Sequence, residues 1–345
     1  MTHRHEEDFS RRRFLGGLAG AGILAGMPAF SLTPLVQVKS SARSRVCIFS
    51  KHLQFLDWEE MAKTAADLGF DGVDLTVRRG GHVLPERVKE DLPKAVETIR
   101  KAGLEVPMIT AGIVDAQSPY AEDIIRTASE LGIHHYRWGF FYWADYAQAP
   151  ETEEGRGLFL PGGRTIPQRL AELKMRVKRL EELNKKYDVC AMYHNDYGAM
   201  VGDSLWELWL IIKDSNPRWI SSNYDISQAT IEGGWGGWIN SARLLGEGGF
   251  IKGASFKDFT WGKDAKGDWR PQFCALGEGM VHFKSYLALL KEAKFSGPIQ
   301  LHFEYPLGGA EEGERTLTID KSQVLFAIRR DLATLRRMLR DAELV

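Results

Sequence analysis

Short apolar runs recur at intervals of a few dozen residues from residue 46 onward, and amphipathic stretches separate them. Eight runs read as strands: Val46 to Phe49, Gly72 to Val77, Val106 to Thr110, His135 to Gly139, Val189 to His194, Ile220 to Asp225, Ile251 to Phe256 and Ile299 to Phe303. Between them the apolar positions change to helical spacing. In Trp58 to Leu68, the residues Met61, Ala65 and Leu68 fall on one side, and Gly69 follows as a cap. Leu92 to Lys101, Ile166 to Tyr187, Val281 to Ala293 and Ser322 to Arg340 read as further helices. Three helix ends repeat one phrase, in which a left-handed cap (Gly69, Gly103 or Lys294) precedes an apolar residue (Phe70, Leu104 or Phe295) and then a strand.

Alternating strand and helix implies βα units and a parallel sheet. Eight such units predict a single (β/α)8 barrel, a TIM barrel, over residues 43–345; that architecture takes about 250 residues. A doubly wound open sheet would show a glycine-rich phosphate turn after its first strand. Ser50-Lys51-His52 stands there instead.

Residues 1–42 follow another pattern. Ser10-Arg11-Arg12-Arg13-Phe14-Leu15 pairs arginines with following apolar residues, and Phe14 to Phe30 carries no charge and five glycines. A spanning helix needs about 20 strongly apolar residues. The paired arginines resemble the twin-arginine export signal, with Gly16 where Lys is common. Ser40-Ser41-Ala42 offers a small-residue cleavage site, and Ala29 a second. The expectation is a cleaved signal, the twin-arginine export machinery as a partner and a periplasmic mature protein; an uncleaved membrane anchor is the alternative. The whole chain has a net charge of −1, and removing the five basic and three acidic residues of 1–42 leaves 40 against 43, a net charge of −3. A dedicated nucleic-acid binder would be strongly basic. Three cysteines, Cys47, Cys190 and Cys274, exclude a disulfide scaffold.

In a barrel of this kind, function collects at the C-terminal strand ends. Here they are strongly polar. Strand two leads into Arg78 and His82, and strand four carries Arg137. Strands five to eight end in Tyr193-His194-Asn195-Asp196, Asn223-Tyr224-Asp225, Ser255-Phe256-Lys257-Asp258 and His302-Phe303-Glu304-Tyr305. Side chains alternate along a strand, so His302 and Glu304 share a face, as do Ser255 and Lys257. Each has a bland reading: a satisfied structural histidine, an Asp225 that caps a loop, a local Lys257–Asp258 ion pair, a Glu304 held by backbone N–H groups. Yet His194, Asp225, Lys257 and Glu304 sit on four successive strand ends, which a closed barrel aims at one mouth. Solvated surface charge has no reason to repeat there. Aromatic residues crowd the same positions, and Gly233-Gly234-Trp235-Gly236-Gly237-Trp238 reads as a glycine-rich loop after strand six. Aromatic faces beside hydrogen-bonding side chains suit sugars, so Trp235 and Trp261 are candidate sugar contacts; packing of the rim is the alternative.

Tyr193-His194-Asn195, Tyr224-Asp225-Ile226, Phe256-Lys257-Asp258 and Leu276-Gly277-Glu278-Gly279, in that order, resemble the xylose-isomerase-like TIM-barrel superfamily. It comprises sugar (phosphate) isomerases and epimerases with an endonuclease IV branch. Gly80-Gly81-His82-Val83, Thr230-Ile231-Glu232-Gly233-Gly234 and His302-Phe303-Glu304-Tyr305 resemble its exported sugar phosphate isomerase/epimerase members. The resemblance implies a divalent ion held by Glu, Asp, His and Glu on strands five to eight. Asp225 and Glu304 match. The strand-five Glu falls at Met192 or His194, the strand-seven His falls at Ser255, and Asp-x-x-His becomes Asp225-Ile226-Ser227-Gln228. A reduced set of His194, Asp225 and Glu304, with His302 beside it, still offers N and O donors suited to Mn²⁺, Zn²⁺ or Fe²⁺.

The expected chemistry is removal of a proton beside the carbonyl of a free or oxidised (keto) sugar or glycoside, with stabilisation of the enediolate. Glu304 or a partner would be the base, with the ion or Lys257 as the cation at the oxygen and His194 beside them. His82, Arg78, Arg137 and His302 would bind substrate. The same enolate permits β-elimination, so a 3-keto-glycoside lyase is one alternative. A non-catalytic carbohydrate-binding barrel is the other, favoured by the two lost ligand positions.

Overall fold

The computed structural model describes residues 44–143, 165–198 and 200–344, so the expected export signal lies outside them. Eight parallel strands close into a barrel: β1 (Val46–Phe49), β2 (Gly72–Val77), β3 (Glu105–Ala111), β4 (His135–Arg137), β6 (Cys190–His194), β8 (Ile220–Asp225), β9 (Ile251–Phe256) and β12 (Ile299–Leu301). These are the eight expected strands, each within two residues of its expected bounds. Two antiparallel pairs are added where the chain leaves the strands: β5 (Phe141–Tyr142) with β7 (Met200–Val201), and β10 (Asp258–Lys263) with β11 (Trp269–Cys274). The helices are α1 (Trp58–Leu68), α2 (Val88–Lys101), α3 (Ala121–Glu130), α4 (Ile166–Tyr187), α5 (Leu205–Ile212), α6 (Ile226–Glu247), α7 (Phe283–Glu292) and α8 (Lys321–Asp341).

Local chemistry sets the ends of these elements. Asp57 caps α1 by accepting from the Glu60 N–H, and Gly69 closes it at φ +95°. Thr165 and Gln168 form a capping box at the start of α4. Lys294 takes the left-handed position expected of it, at φ +53°. Gly233–Trp238, expected as a loop, lies inside α6, which kinks at Gly234. Trp238, Ala242 and Leu245 bury a helical stripe beyond the kink, and that packing outweighs the cost of glycine in a helix.

Alternation along the strands sorts the interior from the shell. Val73, Leu75, Ile109, Tyr193, Tyr224, Phe256 and Leu301 belong to the large apolar core between the strands and helices. Their neighbours point into the barrel. Met108, Cys190 and Met192 form a small cluster of their own there. Above them, Asp74, Thr110, Asn223, Ser255 and Gln300 are fully or almost fully buried and bonded to one another. Gly253 makes room for this layer: a Cβ on it would lie 2.5 Å from Asn223 Oδ1. The barrel interior is thus apolar at Met108, Cys190 and Met192 and polar above them, and its polar columns end at the C-terminal mouth.

Candidate active site

Asp225, the last residue of β8, has two jobs. Its Oδ1 accepts from the Gln228 N–H (3.0 Å) and caps α6, as the bland reading held. Among the described residues its Oδ2 has no hydrogen-bond partner; it faces Lys257 Nζ at 3.4 Å and His194 Nε2 at 3.6 Å. Asn195 fixes the backbone there: its Nδ2 donates to Asp225 O (2.9 Å), and the Asp225 N–H donates to its Oδ1 (2.8 Å).

Lys257 follows β9 and donates from Nζ to Glu304 Oε2 (2.7 Å). Asp258 is not its partner. That carboxylate instead accepts from the N–H groups of Gly277, Gly279 and Val281 at 2.9, 2.9 and 3.2 Å. Lys257 is therefore a buried ammonium shared by Asp225 and Glu304. Burial alone would discharge it, but Asp225 and Glu304 hold it protonated. Burial likewise pushes Glu304 up, yet Lys257 and Lys51 outweigh it and bring the carboxyl down to about 2. Asp225 is pushed up to about 6 by burial, with Lys257 pulling the other way.

His302 packs between the rings of Phe49 (5.0 Å) and His194 (5.3 Å). Neither of its nitrogens has a hydrogen-bond partner among the described residues; the nearest carboxylate, Glu304 Oε1, lies 3.8 Å from Nδ1. Burial first holds both His194 and His302 well below the usual imidazole range, joined by Arg137 and Lys257 at His194 and by His194 and Lys257 at His302. An unbonded polar atom in a buried site costs about 1–3 kcal/mol, which marks these atoms as places for a ligand. His194, Asp225 and His302 each offer a donor atom within 4.8 Å of the others. Two neutral imidazoles and one carboxylate fit a divalent ion of intermediate softness. The converging trio contains His302, whereas Glu304, named with His194 and Asp225 by the sequence, stands beside it on Lys257.

A hydrogen-bonded layer orients the trio from below. Thr110 Oγ1 donates to Asp74 (2.8 Å), Gln300 links Asp74 to Ser255 (2.7 Å), and Ser255 Oγ reaches His194 Nδ1 at 3.5 Å. Ser255, where the resemblance expects a metal-binding histidine, is thus a support for His194. Gln228 likewise donates to Asp196 (2.7 Å).

Arg78 and Arg137 come to the same mouth, each with its guanidinium carbon 5.6 Å from the Phe49 ring centre. His82 sits apart, with Nδ1 3.2 Å from Thr76 Oγ1. His52 is the satisfied structural histidine: Nδ1 donates to Ala310 O (3.1 Å), and Nε2 accepts from the Phe303 N–H (3.2 Å). Trp235 is exposed on α6 and meets the His282 ring at 4.3 Å, with no described contact to the His194–Asp225 group. Trp261 is half exposed on the β10–β11 pair. Sequence reasoning did not single out Lys51, Asn195, Asp196, Asn223 or Gln300 as site residues. The period-two polar columns Ser221-x-Asn223-x-Asp225 and Gln300-x-His302-x-Glu304 were the available signal.

The family model described as the xylose isomerase-like TIM barrel matches residues 62–323. No curated protein matches the chain in sequence. Among solved structures, a 3-keto-D-glucoside 4-epimerase from E. coli is 12% identical, with a TM-score of 0.60 over 86% of this chain and 100% of that one. A xylose isomerase-like TIM-barrel protein from Mycobacterium smegmatis, solved in complex with magnesium, is 16% identical, with a TM-score of 0.59 over 85% of this chain and 99% of that one. A D-allulose 3-epimerase from Methylomonas sp., solved with D-allulose, is 14% identical, with a TM-score of 0.56 over 86% of this chain and 97% of that one. At such identities the likeness is one of fold.

Proposed function

The chain belongs to the xylose isomerase-like TIM-barrel family, and from that premise we propose that it is a sugar isomerase or epimerase that moves a proton on the carbon beside a keto-sugar carbonyl. The observation that carries this reading is the Lys257 ammonium held between the Asp225 and Glu304 carboxylates (3.4 and 2.7 Å) at the barrel mouth. The neighbours named as epimerases of a 3-keto-glucoside and of D-allulose support it. The export signal read in residues 1–42 would place the reaction in the periplasm, where phosphorylated sugars are scarce, so a free or oxidised sugar or a glycoside suits it.

Proton abstraction beside a carbonyl needs a base and a group that takes the developing negative charge. Lys257 is the second. Its charge is fixed in place before substrate arrives, so little reorganisation accompanies the reaction. Glu304 is the base, with 24% of its side chain exposed. While paired with Lys257 it is a weak one. When a substrate oxygen accepts a hydrogen bond from Nζ, Glu304 shares its partner and its proton affinity rises. Binding thereby switches the base on. The proton passes from carbon to Glu304 and the electron pair moves onto the carbonyl oxygen beside Lys257; return of the proton to the former carbonyl carbon, with the neighbouring hydroxyl proton passing to the enediolate oxygen, gives the isomer, and protonation of the first carbon from its opposite face by a second acid or water gives the epimer. Arg78 and Arg137 hold hydroxyls at the mouth. A divalent ion held by His194, Asp225 and His302 would supply Lewis-acid polarisation of a substrate oxygen.

The test is incubation with a panel of keto-sugars and 3-keto-glycosides, followed by proton NMR of the products. Epimer or isomer from at least one of them is expected, with at least a hundredfold slower conversion by Glu304→Gln. An eliminated aglycone would make the enzyme a lyase. Binding without turnover would leave a carbohydrate-binding barrel, and full activity in Glu304→Gln would remove its assigned role.

A further inference from the structure

The β10–β11 hairpin has two unlike faces. Directly paired residues of an antiparallel ladder point to the same side. The pairs Phe259 with Phe273, Trp261 with Pro271, and Lys263 with Trp269 therefore share one face; Asp258 with Cys274, Thr260 with Gln272 and Gly262 with Arg270 make up the other. One face is aromatic, the other polar. The aromatic face begins at the chemistry: Lys257 Nζ lies 5.2 Å from the Phe273 ring centre, and Phe273 meets Tyr197, just beyond β6, at 6.0 Å. It continues outward through Trp261, whose ring meets Phe259 at 5.9 Å, to Trp269 beneath the Lys263 ammonium. Phe259 is buried, but Trp261 is 43% and Trp269 63% exposed. Phe273 and Trp269 are four positions apart in sequence, a run of about 13 Å at strand rise, which exceeds one sugar ring.

Resting on the sugar-enzyme reading above, we infer that this face is a second subsite, which stacks the ring attached to the reacting sugar, so that the substrate is a glycoside or disaccharide and not a free monosaccharide. Three observations point to this occupant. The face is continuous with the Lys257 ammonium, so a ring lying on it is within reach of a bond to what sits at Lys257. Its groups are flat and apolar, suited to the C–H faces of a sugar or to an aromatic aglycone. Lys263 stands beside Trp269 as a donor for ring hydroxyls.

Calorimetric binding of 3-keto-glucose and of 3-keto-cellobiose to the protein tests the inference. The disaccharide should bind at least tenfold more tightly. In Trp261→Ala, in Trp269→Ala and in the double variant, that ratio should fall toward one. If the wild-type ratio is already near one, or survives the double variant, the subsite is overturned while the sugar site stands. If neither keto-sugar binds, the sugar-enzyme reading falls with it. If sedimentation shows wild-type dimers that the double variant dissolves with the ratio unchanged, the face joins two copies of the chain and the subsite is overturned.

Discussion

Replacing Lys257 with methionine should cost about 3 kcal/mol of stability at pH 8 and much less at pH 5. The ammonium is only 2% exposed and lies 2.7 Å from Glu304 and 3.4 Å from Asp225. Taking away one partner of a buried pair costs about 3–5 kcal/mol, because the other charge is left buried and unpaired. Glu304 provides a second route to the figure. Its carboxyl is held at about 2, and a drop of roughly two units from an ordinary glutamate corresponds to about 3 kcal/mol. The sign follows. A depressed carboxyl contributes stability that is present above its unfolded pKa and is lost as pH falls through about 2, so the wild-type pair is intact at both pH values. In Lys257→Met, Glu304 and Asp225 lose their cation and bind protons near neutrality, and acid then relieves the repulsion. Urea unfolding at the two pH values, read by circular dichroism, measures the difference. A loss below 1 kcal/mol at pH 8, or the same loss at pH 5, would refute the shared-ammonium arrangement.

Asp74, fully buried, is pushed up to about 7 by burial. Its ionisation therefore opposes folding, and stability declines as pH rises from about 4 through 7, by up to about 4 kcal/mol; urea unfolding of Asp74→Asn should show this slope flattened. A Cβ at Gly279 would run into the Asp258 carboxylate and Phe259 O, so Gly279→Ala should lose at least about 2 kcal/mol in thermal unfolding. Equilibrium dialysis against Mn²⁺ or Zn²⁺ should find one ion per chain, with His302→Ala and Asp225→Asn each weakened tenfold or more. Fused to a reporter, residues 1–42 should direct export, and changing both Arg11 and Arg12 to Lys should block it.

Much of the fold was legible because a parallel barrel repeats one local phrase. Gly69, Gly103 and Lys294 each end a helix in the left-handed region before an apolar residue and a strand, and the phrase needs no long-range information. Helix α3 and helix α5 were harder. The Leu-Trp-Glu-Leu-Trp-Leu-Ile-Ile run of α5 is apolar nearly all round, so its period separates helix from strand poorly. Glycines misled at α6, where tertiary burial of Trp238 decides the conformation. The site divides the same way. Strand parity put Lys257, Asp225, Glu304 and His194 at one mouth. Parity could not say that Lys257 would bridge two carboxylates while Asp258 turned to the Gly277–Val281 backbone, because that choice depends on how the chain folds back after β11. Nor could it show Gln300 joining Asp74 to Ser255 across the barrel, residues far apart in sequence whose meeting depends on closure of the sheet.

Solvent hydrogen exchange reaches the central claim most directly. The protein is mixed in D₂O with a 3-keto-glycoside, and the carbon beside the carbonyl is followed by proton NMR. Wash-in of deuterium at that carbon, fast with the wild type and at least a hundredfold slower with Glu304→Gln, is the expected result. A bound keto-glycoside whose neighbouring C–H never exchanges, or exchanges equally fast in both proteins, would contradict proton transfer by Glu304 at the Lys257 ammonium.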